Sequence, residues 1–442
     1  MTRKLFISTI VLCLTVSLSQ AQNFETAYFL DNYSYSYRVN PAFHSEKNVY
    51  AAILGNTEAR IGSKSGLTNF IFMRDGKILT GLSDRIPVQE FIGNLQDVTD
   101  VNTAVGLNLA TAGFWDKKHI AYHTIELNVR AYSIGNMPRE MFSFLKSPEN
   151  RDYDIPPTSV NLNMYSEIAY GYSRTINSKL KIGGRAKLIV GLGQANVEAD
   201  HIRAAKVGDT FVIHSDARIT ASQAAINIPK RDDGSYELSL LAFEPSKLSL
   251  PGVGFGFDLG VSYQPVEGLE ASIAINDLGG TFWSHNVSGR AEGTVNVDKL
   301  SPEKKEEILQ SLERLVKFQS EGNEQNSFVM LPFTANAGVR YTMPFYKSLS
   351  AGVFLTYKNF STSYINARFG ATITPVDWFS FTANYGYGSF GSSVGAAFSI
   401  TGGIFNFFLG AESYLGKTIE KLPLPIGKFR TSIDFGITFC IR

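Results

Sequence analysis

Along residues 253–263 every odd position is apolar and every even one small or polar. Val253, Phe255, Phe257, Leu259, Val261 and Tyr263 alternate with Gly254, Gly256, Asp258, Gly260 and Ser262. The same period of two sets Leu180, Ile182, Ala186, Leu188 and Val190 against Lys181, Arg185 and Lys187. It also sets Ile125, Leu127, Val129 and Ala131 against Glu126, Asn128 and Arg130. At the end of the chain Ile433, Phe435, Ile437, Phe439 and Ile441 alternate with Asp434, Gly436, Thr438 and Cys440. Successive side chains of a strand point to opposite faces, whereas a helix needs apolar residues every three or four positions. These segments are expected to be strands of about ten residues or more.

Three corners between such segments share one design. Tyr263-Gln264-Pro265 leads through Val266-Glu267-Gly268 into Leu269, and Tyr341-Thr342-Met343-Pro344 leads through 345–348 into Leu349. Ile373-Thr374-Pro375 leads through Val376-Asp377 into Trp378. Each is a strand end, a proline that cannot donate to a ladder, and a new strand. Counting back from a final strand that descends to a periplasmic C-terminus puts all three on the periplasmic side, with Tyr, Phe and Trp as an interfacial girdle. The longer connections, about 135–159, 193–207, 224–235, 284–332 and 416–427, then face outward. One of them holds a predicted helix, 302–318, with Ser301 as N-cap and Pro302 at the first helical position. This extracellular loop helix is expected to lie across the barrel mouth. The count comes to about 14–16 strands. Residues 22–48, rich in Tyr33, Tyr35 and Tyr37, are expected to be an N-terminal hatch in the lumen or a periplasmic lead-in.

What the apolar faces pack against follows from the rest of the chain. The first residues place Arg3 and Lys4 before an apolar stretch from Leu5 to Val16, and Ser19-Gln20-Ala21 puts small residues at the −3 and −1 positions of a cleavage site. That order is a signal peptide, 1–21, with cleavage after Ala21. Cleavage removes Cys13 and leaves Cys440 as the only cysteine, so no intrachain disulfide staples the exported chain. No later apolar run approaches the ~20 residues of a membrane helix. A transmembrane antiparallel β-barrel over 49–442, all-β, meets these conditions, because its lipid-facing residues hide between polar ones. A soluble exported sandwich would bury the same faces against each other. With 44% apolar residues among 442 and a formal charge of +1, the chain is neither disordered nor a nucleic-acid binder. The location expected is the cell outer membrane, with outer-membrane lipid and the barrel-assembly machinery as partners.

Catalytic strings fail on context. Gly391-Ser392-Ser393-Val394-Gly395 spells a nucleophile elbow, but it sits in an alternating strand pattern and no histidine follows position 285. His119 and His123 on a strand would stand about 13 Å apart, too far to share a metal. No enzyme activity, metal or cofactor is expected. Glycines at alternate positions fit a curved wall or a lumen that bulky groups approach closely. The polar positions offer a candidate lumen row of Lys181, Arg185 and Lys187, with Glu126 and Asp258 as opposing charges.

The leader ending Ala21-Gln22, the corner Asn40-Pro41-Ala42-Phe43 and the later Asn276-Asp277-Leu278-Gly279 before Trp283 resemble a family of uncharacterised Bacteroidota outer-membrane proteins, domain of unknown function 5723. The likeness covers nearly the whole mature chain. That family is similar in design to fatty-acid-transporter-type barrels and to the accessory barrel of the type IX secretion system. The resemblance implies a barrel of roughly 14 strands with an N-terminal hatch. The functional expectation is passive transport of small or hydrophobic compounds, with a small hydrophobic ligand. Its rival is a structural or secretion-accessory barrel that holds a partner through its extracellular loops. The chain departs from many outer-membrane barrels by ending Phe439-Cys440-Ile441-Arg442 rather than in an aromatic residue.

Overall fold

The computed structural model describes residues 24–441 except 46–48, 64, 66–68, 76, 148–150, 209, 224–225, 228–232, 236–241, 244–249, 299–317, 322–324, 360–362, 416–417, 420–421 and 426–427. The leader 1–21, with its cleavage after Ala21, and the helix expected at 302–318, apart from Phe318, lie outside these residues.

Strands β1 (Val49–Ser63), β2 (Val98–Trp115), β3 (Ala121–Pro138), β4 (Thr158–Asn177) and β5 (Leu180–Val207) are successive antiparallel neighbours. β5 then has two partners, one above the other. Its second half pairs with β6 (Thr210–Gln223), and its first half pairs with β7 (Gly252–Val266). β8 (Leu269–Asp298) closes this column from the far side, pairing with β7 below and β6 above. The wall continues through β9 (Thr334–Thr342), β10 (Leu349–Lys358), β11 (Tyr364–Val376) and β12 (Phe379–Gly388). It is completed by β13 (Gly391–Gly402), β14 (Phe405–Tyr414) and β15 (Phe429–Ile441). β15 pairs with β1 from Ile441 opposite Val49 to Phe429 opposite Ser63. The result is a closed barrel of 14 antiparallel strands, with β6 as an additional strand above β7. Closure pairs each of the 14 wall strands on both sides, so the wall has no open edge.

The alternation read from the sequence sorts inside from outside. On β7, Phe255, Phe257 and Leu259 are more than half exposed while Gly256, Asp258 and Gly260 are buried. All three proline corners lie at the end of the barrel that holds Val49 and Ile441, here the short-turn end, and exposed Tyr263, Tyr341, Phe345, Tyr346 and Trp378 ring it. The opposite end carries the long connections. Two of these differ from expectation. Residues 193–207 and 284–298 are strand, because β5, β6 and β8 satisfy one another's backbone groups in an extension beyond the wall. The stretch 64–97 supplies no wall strand. It folds into a hairpin (Ile71–Arg74 with Lys77–Thr80) and the short helix α1 (Val88–Ile92), and Phe72, Ile86, Phe91 and Leu95 pack with Phe142 of α2 (Arg139–Lys146) as a cap. Both helices begin after a proline N-cap, Pro87 and Pro138.

Residues 24–45 occupy the lumen from the short-turn end, at Asp31, toward the loop end, at Glu25. Phe24, Tyr28, Phe29, Tyr33, Tyr35, Tyr37 and Val39 are buried in one cluster with wall residues Phe354 and Phe408. Tyr28 stacks on Phe354 at 4.4 Å between ring centroids, and Tyr33 meets Phe408 edge-on at 4.7 Å. Two 3-10 turns, Glu25–Tyr28 and Ser36–Arg38, satisfy the hatch backbone internally. Among the described residues no backbone-to-backbone hydrogen bond joins hatch to wall. Wall glycines make room for this segment. A Cβ on Gly183 would stand 2.0 Å from the Pro41 carbonyl oxygen, and one on Gly260 would stand 2.0 Å from Asn40 Oδ1.

A valine at 183 therefore cannot coexist with the Asn40–Pro41 corner in place. Gly183→Val is expected to keep the heat-modifiable gel migration of a closed barrel while raising hydrogen exchange over 24–45. Unchanged exchange in the folded variant would contradict this packing.

Candidate functional site

Midway along the lumen the inward positions of five neighbouring strands form a charged layer. β3 contributes Glu126 and Arg130, β4 Glu167, β5 Arg185 and Lys187, β7 Asp258 and β8 Asp277, and the hatch adds Arg38. Arg185 bridges Glu126 and Asp258, the latter at 2.8 Å, and Lys187 bridges Asp258 at 2.7 Å and Asp277 at 2.5 Å. Arg130 joins Asp277 at 3.3 Å and Glu167 at 3.4 Å, and Arg38 closes on Glu126 at 2.5 Å. Four cations thus face four carboxylates. Several kcal/mol per buried ion would be lost without such pairing.

Of the five candidate lumen residues, Glu126, Arg185, Lys187 and Asp258 meet here. Lys181 does not: it lies nearer the short-turn end, only partly buried, where its charge acts on His44. Sequence alternation passed over Asp277 for a definite reason. Asn276 and Asp277 are consecutive yet both buried, because β8 bulges there and Asp277 takes a positive φ of 63°. Its backbone N–H donates to Asp258 Oδ1 at 2.7 Å, so the bulge is itself tied into the layer. Arg130 was visible in the period-two pattern of β3. Nothing in the sequence singled out Glu167 or Arg38.

The hatch docks through reciprocal amide contacts. Asn40 Nδ2 donates to the carbonyls of Val261 (3.1 Å) and Ile273 (3.2 Å), and Asn276 Nδ2 donates to those of Arg38 (3.3 Å) and Val39 (3.1 Å). The two short motifs that lie far apart in the chain, around Asn40 and Asn276, are therefore one joint.

A second charged group lies across the lumen on β11, β14 and β15. Arg368 and Arg430 hold the hatch carboxylate Glu25 at 2.8 and 2.5 Å, and Arg368 also pairs with Glu412 at 3.0 Å. Glu412 accepts from the Thr26 backbone N–H at 2.8 Å and from its hydroxyl at 2.9 Å. Burial by itself would raise the Glu25 carboxyl, but the two guanidiniums outweigh it and hold the group well below the usual carboxylate range. Among the described residues no cluster of His, Cys, Asp and Glu has the geometry to hold a metal.

The profile of the family of unknown function DUF5723 matches residues 41–412. The chain belongs to this family. The matched span of DUF5723 takes in the Pro41–Phe43 corner, the Asn276 joint and the whole charged layer except Arg38. No curated protein matches. Among solved structures, the toluene transporter TodX of Pseudomonas putida is similar at 9% identity, with 96% of this chain and 99% of that chain covered and a TM-score of 0.47. A FadL homologue from Pseudomonas aeruginosa is similar at 10% identity, covering 97% and 98%, with a TM-score of 0.48. The translocator domain of the autotransporter NalP from Neisseria meningitidis is similar at 8% identity, covering 90% and 91%, with a TM-score of 0.33.

Two measurements probe how the DUF5723 lumen is held. Asp258→Ala leaves Arg185 and Lys187 each short of one partner. It is expected to cost about 3–5 kcal/mol in urea unfolding, the usual penalty for stranding a buried charge. A loss under about 1 kcal/mol would show that water reaches the layer. His44 gives the pH dependence. Burial against Trp115 (4.6 Å between ring centroids) lowers its pKa from 6.5 to about 4, assisted by Lys181 and opposed by the Ala42 backbone. The unfolded chain takes up this proton first, so the stability due to neutral His44 is complete above about pH 6.5 and is lost as pH falls toward 4. Hydrogen exchange of 24–45 should rise across that window, and His44→Phe should flatten the rise.

Proposed function

We propose that this protein is a hatch-gated outer-membrane channel for the passive passage of small compounds. The observation that carries the reading is that the wall closes on itself without the hatch, which shares no backbone ladder with it among the described residues. Releasing residues 24–45 would therefore open a lumen without breaking a single wall ladder. The lumen so opened is lined by the charged layer, which favours compounds with a polar end over pure hydrocarbons. The cleaved leader belongs to the same reading, as does insertion by the barrel-assembly machinery into outer-membrane lipid.

One observation favours a second reading. With the hatch seated, paired charges and aromatic rings pack between it and the wall, as a structural or secretion-accessory barrel would tolerate. Planar-bilayer conductance separates the two. Wild type is expected to be closed for most of the recording, and Arg38→Ala/Asn40→Ala, which loosens one end of the hatch, should open frequently. A barrel lacking 24–45 that is heat-modifiable yet non-conducting would reject the channel and leave the structural role.

A further inference from the structure

The contacts of Glu25 resolve into a receptor and its occupant. Four donors on two wall strands converge on this one hatch carboxylate. Oε2 accepts from Asn366 Nδ2 at 2.5 Å and Arg368 Nε at 2.8 Å, and Oε1 accepts from Arg430 at 2.5 Å and the Tyr364 hydroxyl at 3.3 Å. Strand geometry explains the convergence. Tyr364, Asn366 and Arg368 are alternate residues of β11 and so share its inward face, while Arg430 arrives from the start of β15. Paired guanidinium and amide donors are the usual means of reading a planar carboxylate.

The same residues line a small cleft at the loop end of the lumen, where β12 turns into β13. Its enclosed volume is about 10 Å3, room for one water-sized group such as a single carboxylate oxygen. Arg430 is buried to 7% exposure in this lining, and its Nε–H has no hydrogen-bond partner. A receptor facing the loop end thus keeps one donor unspent beside a carboxylate that belongs to the hatch. Charge balance gives the consequence. Arg430 pairs with Glu25, and buried Arg60 donates to Tyr364 beside it, so withdrawal of Glu25 leaves positive charge that another anion can neutralise.

We propose that Asn366, Arg368, Arg430 and Tyr364 form a carboxylate-binding site in which hatch residue Glu25 stands in for the ligand. A small monocarboxylate entering through the cleft takes the donors from Glu25 and releases that end of the hatch. The release step rests on the gated-channel reading; the binding step does not.

Calorimetry with propionate on the detergent-solubilised full chain tests the binding step. Glu25→Ala vacates the site and is expected to bind propionate at least about tenfold more tightly than wild type, a difference that Glu25→Ala/Arg368→Gln abolishes. Chloride, which cannot use four donors set for a planar group, should bind no better to Glu25→Ala than to wild type. Glu25→Gln keeps the side-chain shape and should bind as weakly as wild type, which provides a second folded reference if the alanine variant proves unstable. Heat-modifiable migration confirms folding in each case. A folded Glu25→Ala that takes up no propionate, or takes up chloride equally well, would overturn the site. For release, propionate should raise hydrogen exchange over 24–30 in wild type, and binding without that rise would overturn it. Propionate binding in a protein whose hatch-free barrel never conducts would leave the site standing and remove the channel.

Discussion

A charge buried inside this barrel is costly without a partner, and the ions of its two charged groups find counter-ions on neighbouring strands and on the hatch. That requirement organises the interior. The wall by itself offers Glu126 only Arg185, and the hatch supplies Arg38 as its second partner. On the far side the relation is reversed: the wall provides the arginines and the hatch provides the carboxylate. Hatch and wall are electrostatic complements, each carrying at both ends what the other lacks. Hydrogen bonds to charged groups are worth roughly 1.5–3 kcal/mol each. A handful of them offsets part of the entropy of pinning the hatch, and burial of its aromatic rings supplies the rest.

Shape follows the same logic. Aromatic rings fill the spaces between the charged groups, and wall glycines recede where the hatch passes closest, as at Gly183 and Gly260. The bulge at Asn276–Asp277 serves both purposes. It turns two consecutive side chains inward, one reaching the hatch backbone and the other the ion layer. An unbulged strand would have sent one of them to the outer face of the wall.

Much of the wall was legible in the sequence because a sheet with an apolar outer face and a polar inner face imposes a period of two on each strand. The proline corners, the exposed row Phe255, Phe257 and Leu259, and the polar face of β5 were all open to reading. What was not legible depends on departures from that period or on contacts between distant segments. Asp277 was hidden by its bulge, Arg38 by lying in a short 3-10 turn outside the period-two pattern, and Glu25 by distance, since its partners lie 343 and 405 residues away. The strands of the 193–207 and 284–298 stretches escape a period-two reading because they pair with one another's neighbours beyond the wall, away from its alternating apolar face. Glycine spacing pointed to close approach, but only the fold identifies Pro41 and Asn40 as what approaches.

The seam between β1 and β15 carries a topological consequence. Residues from this last strand, Arg430 and Asp434, grip Glu25 and Tyr33 near the chain's beginning, so the hatch has its full set of partners only once the first and last strands have met. Loop closure across nearly the entire chain comes before the seal. A barrel arrested one strand short would expose an unpaired edge and also leave Glu25 without one of its two arginines. Seating the hatch and finishing the wall are therefore coupled, because Glu25 gains Arg430 only when the last strand is in place.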